Sequence, residues 1–117
     1  MRQLKSSGSV KVISLDKNRI IEAFIESCKE AIIIFPQIVD IRLFGSLFDN
    51  TYTGLSDIDI LIIVNSQIEN PIERAKPYFF FFADKFDIPV DCIVIDVHEK
   101  NKFENIISKS ISYIDLE

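Results

Sequence analysis

The chain has no tryptophan and only three glycines, four prolines and two cysteines among 117 residues. Few Gly and Pro argue against a loop-rich architecture and for packed helices and strands. Cys28 falls on a helical apolar stripe and Cys92 inside a strand-like run, so both read as buried free thiols. Nothing in their spacing suggests a disulfide framework or a zinc site. The one histidine, His98, follows Asp96 and reads as a surface residue near a helix start rather than a catalyst. Basic residues are also short: 13 Lys and Arg face 18 Asp and Glu, a net charge of −5. Such a chain is a poor partner for a phosphate backbone, which is gripped mainly through Lys and Arg. A small anion remains open to it, because a divalent cation can supply the missing charge. No apolar run approaches the length of a membrane span and no apolar leader follows Met1. The expected location is therefore the cytoplasm, with no membrane partner.

What is present is ordinary globular composition rich in Ile and Phe. The length suits one domain: a loose polar tail over 1–8 and a single domain over 9–117. Val10–Leu15 is a short strand candidate. Asp16 stands as an N-cap before Ile20, Phe24, Cys28 and Ala31, whose spacing predicts an amphipathic helix ending before Pro36. Val39–Phe44 and Asp57–Val64 read as interior strands, joined through Gly45-Ser46 and a partial helical turn and loop over Leu47–Leu55. Asn70-Pro71, with Glu73 three residues past the cap, starts a further helix, which Pro77 should kink or split, with a second helix from about Pro77 to Phe86. Ile88–Asp96 is a third strand. Asp96 with Glu99 caps a short helix whose apolar face is Phe103, Ile106 and Ile107, and Ile111–Ile114 is a last short strand. The alternation predicts an α/β (α+β) fold, a mixed sheet with helices packed on it.

The chemistry gathers at four places. Asp57 and Asp59, two apart on a strand, share a face at roughly 6.5–7 Å along the backbone. Alone, such a pair is often solvent-facing. At the mouth of an apolar strand it suits Mg²⁺ or Mn²⁺, and two such ions clamp the attacking and leaving oxygens of a phosphoryl displacement. Gly45-Ser46 is by itself a turn glycine and a capping serine. Equally, a strand ending in Gly before a helical turn presents N–H groups to a triphosphate. Asp91 is a lone charge in an apolar strand. It is either an edge-strand guard against aggregation or a third carboxylate brought to the same site. Phe48 and Tyr52 could stack on a base or simply pack. The run Tyr78–Phe82 is core, with part of it a possible patch for a partner or a second copy of the chain.

Taken together, the order is Gly45-Ser46, ten residues, Asp57-Ile58-Asp59, then Asp91 on a later strand, within "LFGS", "SDIDILI" and "IPVDCIVI". This resembles the nucleotidyltransferase superfamily that includes DNA polymerase β, and more closely its short stand-alone members, the minimal nucleotidyltransferases (MNT). The resemblance covers most of the chain and implies a polymerase-β-palm-like fold. It implies that Gly45 and Ser46 hold the triphosphate, and that Asp57, Asp59 and Asp91 form the catalytic, metal-binding set for two Mg²⁺ (or Mn²⁺) ions. Asp91 would also assist the attacking hydroxyl. The implied reaction moves a nucleoside monophosphate, AMP foremost, from ATP or another NTP to a hydroxyl. In the minimal branch the acceptor is often a tyrosine on a helical HEPN toxin, which makes the MNT protein an antitoxin. One position departs from the pattern. Where relatives often carry Gly-Ser-x-Ala-Arg-Gly, this chain reads Gly45-Ser46-Leu47-Phe48-Asp49-Asn50, an acid in place of a base. Arg42, Arg74, Lys76 or Lys85 would have to compensate. A non-catalytic partner-binding module on the same fold is the alternative. Transfer to RNA or to a small molecule such as an aminoglycoside is a third.

Overall fold

A computed structural model describes residues 17–45 and 57–117. The tail over 1–8, Val10–Leu15, the cap Asp16, Ser46 and Leu47–Leu55, with Phe48, Asp49 and Tyr52, lie outside the described residues.

Helix α1, Lys17–Ile34, buries Ile20, Phe24, Cys28 and Ala31, the stripe expected from their spacing. It ends two residues before Pro36. Strand β1, Ile38–Phe44, follows. Its pairing with β2, Ile58–Val64, is antiparallel with a register shift between Ile38 and Asp40. The extra residue lets Ile38 pack toward the same core as Ile41 and Leu43, despite the odd spacing, and leaves Val39 exposed. Strand β3, Val90–Asp96, runs parallel to β2, and the two-residue β4, Ile111–Ser112, pairs with β1. Among the described residues the sheet has four strands, in the order β3-β2-β1-β4.

β2 explains itself: six of its seven residues are apolar, and both faces are covered. Ile58, Ile60, Ile62 and Val64 meet α1 and α2, which spans Pro71–Ala83. Leu61 and Ile63 pack with Ile95 on the opposite face, against Phe103, Ile106 and Ile107. Those last residues belong to a 3₁₀ segment, Val97–Phe103, and helix α3, Glu104–Ser108. The Asp96 cap is present as a full capping box with Glu99.

Two expectations are corrected. Pro77 neither splits nor ends its helix: α2 is one helix of 13 residues from the Asn70 cap to Ala83. Pro77 and Glu73 are both exposed, so the Glu73 carbonyl that lacks an N–H partner can be satisfied by water, while Tyr78 and Phe82 anchor the next turns in the core. Nor does a strand continue to Ile114. After Ser112 the chain turns into α4, Tyr113–Leu116, because the Ser112 hydroxyl caps it and Tyr113 drops into the core. Among the described residues no helix is long and apolar enough to cross a membrane.

Candidate active site

Three strand ends meet at one edge of the sheet: the end of β1 and the starts of β2 and β3. Phe44 pairs with Asp59, and Asp59 pairs with Asp91 across the parallel ladder. Parity puts Asp57, Asp59 and Asp91 on one face, the face that further along holds Leu61, Ile63, Ile93 and Ile95. Asp57 and Asp91 are exposed and Asp59 is half-buried. Partial burial raises the Asp59 carboxyl above its ordinary range, and the neighbouring charges of Asp91 and then Asp57 raise it further.

Gly45 closes the group from the β1 side. Its φ is +80°, a conformation that side chains rarely adopt. A Cβ built there would overlap the Asp59 carboxylate. The glycine thus has a local steric reason independent of any ligand. Gly45, Asp57, Asp59 and Asp91 are brought together; Ser46 is outside the described residues.

Among the described residues no three His, Cys, Asp or Glu side chains are arranged to hold a metal ion. The donor chemistry nevertheless fits Mg²⁺ or Mn²⁺. All three groups are hard carboxylates, and Asp59 carries a repulsion that a cation would relieve.

The cations proposed to offset Asp49 are engaged elsewhere. Arg42 binds Asp40 at 2.9 Å and the Ser110 hydroxyl at 2.6 Å. Arg74 is buried and donates to Glu99 at 2.8 Å and to the carbonyls of Ile68, Glu69 and Val94. Lys76 pairs with Glu73, and Lys85 pairs with Glu30 and lies over the Phe81 ring. The role of Arg74 was readable from spacing: it stands four and eight residues before Tyr78 and Phe82, on the same buried stripe of α2. His98 is largely exposed, and its Nδ1 lies 2.7 Å from Asp96 Oδ2. Both thiols are unpaired; burial pushes Cys28 up and raises Cys92 to about 12, so neither is a nucleophile at neutral pH.

An apolar cleft of about 520 Å³ runs beside β3, between it, α2 and the 3₁₀ segment. No local sequence signal marks it, because strand order places β3 at the edge of the described sheet.

No curated protein matches the chain. Among solved structures it is similar to a suspected nucleotidyltransferase from Sulfolobus solfataricus, at 24% identity and a TM-score of 0.62, over 90% of this chain and 86% of that one. Two further similarities are more distant. One is to a toxin–antitoxin structure with AMP-PNP, at 23% identity and TM-score 0.49, over 85% of this chain and 73% of that one. The other is to a complex of tri-AMPylated Shewanella oneidensis HEPN toxin with MNT antitoxin, at 20% and 0.44, over 88% and 71%. The nucleotidyltransferase domain family matches residues 21–116, nearly the whole described chain, and the protein belongs to that family.

Proposed function

We propose that the protein is a metal-dependent nucleotidyltransferase that moves a nucleoside monophosphate, AMP foremost, from an NTP to a protein hydroxyl. We further propose that it serves as the antitoxin of a HEPN/MNT pair in the cytoplasm. The single observation that carries the catalytic reading is the register of Asp59 against Asp91, with Asp57 on the same face. Three acids at the starts of two adjacent strands have no structural need for one another; their mutual repulsion is tolerated where cations are shared. The antitoxin role rests on the sequence resemblance to minimal nucleotidyltransferases.

Asp57, Asp59 and Asp91 would hold two Mg²⁺ or Mn²⁺ ions, which when bound supply Lewis-acid stabilisation of the phosphoryl oxygens. Gly45 and Ser46 would hold the triphosphate through backbone N–H groups and the serine hydroxyl. The acceptor oxygen attacks the α-phosphorus, forming a P–O bond. The bond from that phosphorus to the bridging oxygen breaks, and pyrophosphate leaves with the electron pair. The hydroxyl proton passes to Asp91 or to water.

The test is incubation with each NTP, Mg²⁺ or Mn²⁺, and the protein encoded by the adjacent reading frame, followed by mass spectrometry. A nucleotidyl adduct that disappears in Asp57→Ala is expected; no adduct, or one that persists in the variant, would overturn the reading. The partner-binding alternative draws on the four cations committed elsewhere. Calorimetry separates the two, since the binding module predicts no metal-dependent ATP binding.

A further inference from the structure

Among the described residues β3 ends the sheet, paired on one side only with β2. In a parallel ladder a residue turns its N–H and C=O to the same side, and alternate residues turn outward. The Pro89 carbonyl accepts from Ile58 N–H at 2.9 Å, so odd-numbered residues face β2. Even-numbered residues face out, and two contacts agree: Arg74 donates to the Val94 carbonyl at 3.4 Å, and Asp96 N–H donates to Glu99 at 2.9 Å. The Arg74–Glu99 pair therefore closes the far half of the edge. Among the described residues no hydrogen bond outside the ladder reaches Cys92. The open part of the edge is the part next to Asp91.

The cleft lies along this same edge. Its floor includes Cys92, Ile93, Val94 and Ile95, and its walls include Ile72 and Phe79 of α2 and Phe103. Ile72 is 71% exposed and Phe79 38%. A strand laid beside β3 sits about 4.8 Å away, and its residue opposite Asp91 sends its side chain to the face of Asp91. Flanking side chains alternate, so apolar ones would reach the cleft walls. The charges match as well: three carboxylates and a bound triphosphate carry more negative charge than two divalent cations offset, which favours a basic residue near the acceptor.

From these features we propose that the acceptor is an extended polypeptide segment that adds to the outer edge of β3, pairing with the backbone of Cys92 and presenting its hydroxyl residue beside Asp91. The segment has apolar residues at alternate positions and a basic residue next to the hydroxyl. This rests on the nucleotidyl-transfer reading above; it specifies the substrate class and the surface that receives it. The segment's hydroxyl attacks the α-phosphorus, pyrophosphate leaves with the electron pair, and the proton passes to Asp91 or to water.

The test uses the full chain with Mn²⁺, an α-labelled NTP and an array of synthetic heptapeptides centred on Tyr, Ser or Thr, together with the adjacent-frame protein. Peptides with Val or Ile at alternate positions should label, and those with Pro at them should not. Cys92→Pro removes an outward N–H, which an edge strand tolerates, and exchanges a partly buried thiol for a ring, so its fold must be checked. It should cut peptide labelling at least about tenfold, while metal-dependent NTP affinity by calorimetry stays within about twofold. Phe79→Asp, in the cleft wall, is the second variant, and melting curves confirm that both fold. Equal labelling by folded wild type, Cys92→Pro and Phe79→Asp overturns the edge proposal alone. Failure of the wild type to label any peptide or protein overturns the transfer reading, and the edge proposal with it.

Discussion

Gly45 and Asp59 compete for one volume: the Asp59 carboxylate fills the place where a side chain on residue 45 would begin. The backbone at Gly45, with φ +80°, adds a second reason for glycine. The last residues of β1 and the first of β2 are thereby fitted to each other before any ligand arrives.

Gly45→Ala should therefore act twice. An alanine at positive φ costs about 1–2 kcal/mol, and the methyl group must displace the Asp59 carboxylate. Thermal melting should fall by several degrees. Metal-dependent NTP binding, measured by calorimetry, should weaken by more than the stability change alone explains. Unchanged binding with unchanged melting would contradict the packing described.

Asp91→Asn removes one of the two charges that oppose ionisation of Asp59. In metal-free buffer the variant should melt no lower than the wild type. Added Mn²⁺ should raise the wild-type melting temperature by mass action and leave the variant little changed. A variant that melts well below the wild type without metal would make Asp91 a structural residue.

Asp96 contributes to stability against acid. Its carboxyl is lowered to about 2, chiefly by the Ser66 N–H and then by the His98 N–H and ring. A folded pKa below the unfolded value of about 3.9 means that its stabilisation is complete above that value and is lost as pH falls toward 2. Urea unfolding should find Asp96→Asn, which keeps the capping acceptor, less stable than the wild type at pH 7 and similar to it near pH 2. A constant difference at both would remove the charge from the explanation.

Pro77→Ala tests the uninterrupted helix. Restoring an N–H to pair with the Glu73 carbonyl should raise urea stability by about 1–3 kcal/mol, within the span of proline costs in helix interiors. No gain would mean that the helix has already adapted around the proline.

Local rules were enough for α1, β2, the Asn70 cap and the Asp96–Glu99 capping box, because periodicity and short-range hydrogen bonds set them. They failed at Pro77, where Tyr78 and Phe82 held in the core outweigh one missing backbone bond. They failed again at Tyr113, where the serine cap and burial end the strand early.

The sequence by itself determined the family signature: Gly45, the Asp57-x-Asp59 pair and a later acid, in order and on the right elements. It could name Asp91 as a candidate but could not distinguish a site residue from an edge guard, because strand pairing is not a local property. What tertiary structure decided is the juxtaposition of the acids. The parallel register of β2 and β3 sets Asp91 beside Asp59, and among the described residues the strand order leaves β3 outermost, its far edge held by Arg74 and Glu99 and its near edge open beside the acids.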